Sequence, residues 1–350
     1  MPSDPAVLMT APPSHLPVRP DWLAKRQEDI IEPDLPIVDP HHHLVDRANT
    51  GRYLLPDLLA DTGSGHNIVA TVYLEWLSMY RADGPVPMRP VGEVEFANGV
   101  AAIAASETYG KTKVCAGIVA YADLMLGAQV EEVLEAMILA GGGRFRGIRY
   151  ISASHPDAAA RGSSINRPDG LLLNGKVREG FAKLHPLGLS FDAWMYFTQL
   201  GELVDLARAF PETPIVLDHV GGPIGIGPYA GKRDEVFTEW KKTIGELAGC
   251  SNVHVKLGGL GMRLFGFDVH NDDMPPSSEQ LATLWRPYIE TCIEAFGPER
   301  AMFESNFPVD KGSGSYHVFW NAFKRIAQGC SPDEKTALFS ATASRFYRLD

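Results

Sequence analysis

Residues 39–44 read DPHHHL, with three consecutive histidines directly behind the apolar run LPIV at residues 35–38. On an extended chain successive side chains alternate between faces, so His41 and His43 point one way and His42 the other. Two imidazoles then converge on one spot, as ligands of a divalent metal or as a paired acid and base. Imidazole suits zinc and its transition-metal neighbours, and two ligands from one strand need partners from other strands to complete a shell. His219, which ends the run PIVLDH at 214–219, is the natural third member. The competing reading of all three is structural: imidazoles in a surface loop or in the core, satisfied by backbone carbonyls.

Side chains so far apart in sequence meet only if the fold gathers strand ends. Short runs rich in Val, Ile and aromatic residues recur at 35–39, 67–73, 113–119, 145–151, 189–194, 214–219, 252–258 and 300–305, separated by helical patterns, several closed by glycine. Near-continuous apolar strands, each followed by room for a helix, specify an α/β fold of the closed parallel (β/α)8 TIM-barrel type. An open doubly wound sheet is the alternative, but neither GxGxxG nor GxxxxGK[ST] follows the first strand. Residues 35–350 are read as the barrel, and the proline-rich residues 1–34 as an arm over it, with DWLAKRQEDI at 21–30 resembling a short helix.

In such barrels the site forms where the strands run out at their C-terminal ends. That filter adds Glu75, Arg149, Asp192, Asp218, Lys256, Asn306 and Asp310 to the histidines. Arg149 offers a rigid fork suited to a substrate carboxylate, or a structural ion pair. Lys256 offers a counter-charge for a developing oxyanion, or a tie to Asp218. Trp194 offers an aromatic wall, or plain packing.

The pattern DxHxHL at residues 39–44, GIR at 147–149, IVLDHVGGP at 215–223, NVHVKLGGL at 252–260 and MFESNFPVD at 302–310 together resemble the amidohydrolase-related barrel family. The resemblance is to the branch of 2-pyrone-4,6-dicarboxylate lactonase and L-fucono-lactonase, with aromatic-acid decarboxylases as more distant relatives. It implies a metal-dependent-hydrolase-like barrel in which His41 and His43 are the strand 1 pair and His219 comes from a later strand. It also implies a terminal GSDxP whose aspartate binds metal or activates water. This chain has Glu304-Ser305-Asn306-Phe307-Pro308, so Asn306 stands in the aspartate's place. An amide adds no charge to a metal site and cannot act as a general base.

Two versions of the chemistry follow: one weakly bound divalent metal, zinc or manganese, or metal-free catalysis. In either, a carboxylate activates water, with Asp192 slightly ahead of Asp310; Glu304 lies deeper, where burial is expected to raise its pKa. The leading expectation is a hydrolase that opens a small lactone or cyclic ester carrying a carboxylate. Non-oxidative decarboxylation of an aromatic acid is the alternative on the same scaffold, and a non-catalytic small-molecule-binding barrel is the third.

Composition narrows the partners. Lys+Arg number 32 against 43 Asp+Glu, a net charge of -11 with no basic footprint, which disfavours nucleic acid while leaving room for a small anionic substrate. The four cysteines are widely spaced and form no CxxC pair, as expected in a reduced compartment. No membrane span or secretory leader is read, so the expectation is a cytoplasmic protein with no membrane contact, and a homodimer through the outer helices is compatible with it.

Overall fold

Eight strands, β1 (Ile37–His42), β2 (Ile68–Leu74), β3 (Lys113–Ala120), β4 (Phe145–Ile151), β5 (Ser190–Trp194), β6 (Ile215–Leu217), β7 (Val253–Leu257) and β8 (Ala301–Phe303), pair in parallel in chain order. The computed structural model describes residues 15–47, 51–162 and 166–349. Each strand falls on a run anticipated from its apolar composition, and the result is a nearly closed barrel of the TIM type. Strands β6 and β8 end earlier than their runs, so Asp218, His219 and Glu304 lie in the turns beyond them.

The two ends of the barrel are closed differently. At one end Val38, Ala70, Val72, Val119, Val216 and Met302 form an apolar interior that also takes Ala343, Phe346 and Tyr347 of the terminal helix Thr342–Tyr347. At the other end the polar residues collect. The seam between β8 and β1 lies past the end of β8: Asn306 N donates to His41 O at 3.0 Å and His43 N to Phe307 O at 2.8 Å. Asp39 clasps this seam from outside the barrel, accepting Ser305 N at 3.0 Å, Ser305 Oγ at 2.6 Å and Tyr316 Oη at 2.9 Å.

Strand β1 carries an irregularity that matters for the site. Val38 faces the interior, so strict alternation would also turn Pro40 and His42 inward. The register against β2 slips between Asp39 and His42, which reverses the parity and sends His41 inward. His42 then packs outward, with Nε2 2.9 Å from Thr71 Oγ1 and its ring beside Tyr73.

Two differences from the sequence reading concern helices. The helix expected over 21–30 is only Pro20–Leu23, because the backbone after it is taken by other partners: Asn321 and Lys324 bond Ile31 N, Asp29 O, Ile31 O and Glu32 O. Those partners sit on Tyr316–Ile326, a helix not anticipated from sequence. Upstream, Arg19, Trp22, Lys25 and Arg26 donate to carbonyls of residues 270–275. Residues 1–14 of the expected arm lie outside the described residues. Among the described residues no helix is long and apolar enough to cross a membrane.

Candidate active site

Glu304 is the hub of the polar end. Its Oε1 lies 2.6 Å from His219 Nδ1 and accepts His219 N at 3.1 Å, and its Oε2 lies 2.7 Å from His41 Nδ1. Burial would raise its pKa, as the sequence suggested, but the His219 and His41 contacts outweigh that and hold its carboxyl well below the usual range. The expected upward shift is thus corrected. A carboxylate can only accept, so His219 Nδ1 carries the proton, whereas His41 Nδ1 lies between Glu304 Oε2 and the Lys256 ammonium at 3.2 Å, which can only donate. His43 is fixed as His219 is, with Nδ1 2.9 Å from the Leu74 carbonyl. His219 and His43 therefore present Nε2 as the free lone pair, the arrangement second partners impose on metal-binding or base histidines. Burial also pushes the His41 and His43 pKa values well down, with Lys256 and Arg149 adding to it, so both rings are neutral.

The local backbone is built to admit these rings. His219 and Val220 follow β6 with φ of 53° and 47°, a costly conformation for a branched residue, and Trp240 Nε1 pins it by donating to Val220 O at 2.7 Å. The KLGGL glycines leave the space. A Cβ on Gly259 would lie 2.4 Å from His219 Cγ, and one on Gly258 would lie 2.5 Å from Glu304 Cγ.

His41 Nε2 and His43 Nε2 stand 3.2 Å apart. One shared proton, or one bound cation, satisfies both nitrogens at that distance. Two imidazole nitrogens on a tetrahedral ion are separated by roughly 3.3–3.4 Å, so the donor set fits a zinc- or manganese-class ion. Arg149 Nη1, 3.3 Å from His41 Nε2, already supplies a competing donor. His41, His219 and Glu304 also place ligand atoms within 4.8 Å of one another.

The remaining expected residues are placed as follows. Arg149 is not a free fork: Nε bonds Glu75 Oε1 at 2.8 Å and Nη2 bonds Glu75 O at 2.6 Å, so the clamp on a substrate carboxylate gives way to the buried ion pair. Lys256 is likewise committed, 2.7 Å from Asp192 Oδ2 and 3.0 Å from Asp218 Oδ1. Asp192 is sealed beneath the histidines, between Lys256 and Tyr347 Oη at 2.5 Å, with burial lifting its pKa to about 6 against the pull of Lys256. Asn306 turns its amide to Asp310 Oδ1 at 2.8 Å and, among the described residues, makes no hydrogen bond to the imidazoles. Asp310 also accepts Gly261 N at 2.9 Å, and burial holds its pKa well above the usual range. Both carboxyls are thus already engaged by other donors, Asp192 by Lys256 and Tyr347 and Asp310 by Asn306 and Gly261. Trp194 stands edge-on to His219, ring centroids 4.8 Å apart, and Trp76 covers His43 at 4.5 Å.

Residues 38–349 match the amidohydrolase family, Amidohydro_2. The chain belongs to that family. It is an enzyme family, and this amidohydrolase is similar over 90% of its length and 99% of the relative's to an uncharacterized protein, y4mH, of Sinorhizobium fredii, at 36% identity. It is 30% identical over 166 residues, 46% of this chain and 51% of the other, to L-fucono-1,5-lactonase of Burkholderia ambifaria. In three dimensions it aligns with an amidohydrolase of Burkholderia multivorans crystallised with zinc, at a TM-score of 0.67 and 23% identity, covering 90% of this chain and 99% of that one.

Two members of the site carried weaker signals than their positions warrant. Glu304 stands where the GSDxP pattern has glycine, and strand parity two residues before Asn306 places it inward. Glu75 followed β2 without a motif, and only the partner Arg149 shows why a buried acid is there.

Proposed function

We propose that this amidohydrolase opens a small lactone by attack of water on the ring carbonyl. The observation that carries the reading is the Glu304–His219 pair: Nδ1 held at 2.6 Å by a carboxylate leaves Nε2 as an oriented base, and the anion stabilises the imidazolium that forms. His219 takes the proton from water at Nε2 and returns it to the departing ring oxygen, which leaves as the alcohol of the hydroxy acid. His41 and His43 face the carbonyl side. A divalent ion held by their Nε2 atoms would polarise that carbonyl as a Lewis acid. Arg149 Nη1, with its charge anchored on Glu75, stabilises the oxyanion from the same side.

The L-fucono-1,5-lactonase likeness supports a sugar-type lactone. So do the rings of Trp76 and Trp194 beside the histidines, which suit an apolar ring face. The charge layout favours hydrolysis over decarboxylation. Both buried cations are already paired with carboxylates, whereas a decarboxylase must hold a substrate carboxylate in place. The test is turnover of a panel of aldono-1,5-lactones followed by proton release, beside CO2 release from hydroxybenzoates, with protein of measured metal content. Hydrolysis lost in His219→Asn is the expected result. CO2 release without lactone turnover would sink the reading.

A further inference from the structure

The terminal helix Thr342–Tyr347 enters the barrel opposite the mouth, and its Phe346 and Tyr347 fill the interior beside Val38, Val72, Val216 and Met302. For filling alone, phenylalanine would serve at both positions. Tyr347 instead brings a hydroxyl into a fully buried layer, where a polar atom is tolerated only with a partner. Its Oη donates to Asp192 Oδ2 at 2.5 Å, the oxygen that also accepts Lys256 Nζ at 2.7 Å. Lys256 Nζ in turn stands 3.0 Å from Asp218 Oδ1 and 3.2 Å from His41 Nδ1. One line of contacts thus runs from the last helix of the chain to the imidazole.

We infer that Tyr347 is a positioning residue of the active site, acting through Asp192 and Lys256 to fix the place of His41. The inference rests on the proposed reading of the histidine site. Asp192 faces Lys256 from β7, Asp218 from the turn after β6, Arg149 as its register partner on β4, and Tyr347 from below. Removing the hydroxyl leaves Lys256 as the sole donor to Oδ2 among the described residues. The ammonium is drawn toward Asp192 and away from Asp218 and His41, and the Asp192 anion becomes harder to form.

The experiment is Tyr347→Phe in the full chain, which keeps the ring. The expected result is an unfolding temperature close to wild type, KM within about twofold, kcat lower by roughly tenfold, and the acid limb of the kcat profile moved up by about one pH unit. In an Asp192→Asn background the same change should add no further loss, because the path through Asp192 is already cut. Replacing Tyr347 with 3-fluorotyrosine, a stronger donor of nearly the same shape, should move the limb down. An unmoved kcat and pH profile would overturn the inference, as would a loss of folded protein with the profile of the remainder unchanged. If the wild type turns over no lactone, the functional reading fails by itself. Infrared titration of 13C-aspartate-labelled protein, with the Asp192 band assigned from Asp192→Asn, still decides the role of Tyr347: a rise of about one pH unit in Tyr347→Phe supports it and no rise refutes it.

Discussion

At the residue scale, Glu304 meets two imidazoles, its oxygens lying 2.6 Å from His219 Nδ1 and 2.7 Å from His41 Nδ1. Glu304→Gln removes the charge that orients and stabilises His219, so kcat should fall by about 10²–10³ with the fold intact. Steady-state kinetics beside a thermal melt checks this, and near-normal kcat would exclude the pair as the base. Arg149 belongs to stability as much as to catalysis. Arg149→Met would strand the buried Glu75 and should cost about 3–5 kcal/mol in a urea titration, whereas adding Glu75→Gln to it should recover part of the loss. A cost near zero would mean that Arg149 is free for substrate after all.

At the element scale the site depends on two backbone irregularities. The slip in β1 between Asp39 and His42 aims His41 inward, and the left-handed turn after β6 aims His219 at Glu304. Both were invisible to a simple count of periods, although the alternation of His41 and His43 around an outward His42 could be read from spacing alone. The glycines of KLGGL were legible only as a motif, and their reason is steric. Gly259→Ala should push the His219 ring off Glu304 and reduce kcat by at least about tenfold, while a change at Gly245, where a Cβ meets nothing within 4 Å, should leave kcat alone. Equal kinetics for the two variants would show that the ring has room to move.

At the scale of the whole molecule, buried neutral histidines couple folding to pH. Burial depresses the His41 and His43 pKa values well below 6.5 and that of His42 from 6.5 to about 3. The unfolded chain therefore binds protons that the folded protein refuses, so this contribution to stability is present above pH 6.5 and is lost as the pH falls. Asp39 and Asp192, lifted from 3.8 to about 6 chiefly by burial, oppose it: their share is present at low pH and lost as the pH rises through about 6. In denaturant titrations between pH 6.5 and 5, His42→Gln should remove about one proton from the slope, ~1.4 kcal/mol per pH unit, with little change in kcat at neutral pH. A wild-type slope in the variant would show that His42 is protonated in the folded protein.

The sequence by itself determined the barrel and the roll of residues at its mouth, because apolar strand runs at regular spacing and the end-of-strand rule are local properties. It also determined that His41 and His43 share a face, since alternation needs no partner. It could not determine which charges remain free. Arg149 and Lys256 looked available because their partners, Glu75 on one side and Asp192 with Asp218 on the other, lie on or just beyond other strands. The pKa of Glu304 followed the same rule: burial alone is legible from an apolar strand end, but the direction of the shift was set by two imidazoles from β1 and the turn after β6, brought to it by the closed barrel. Electrostatics in a buried site depends on distances across the sheet, and only the tertiary structure fixes those distances.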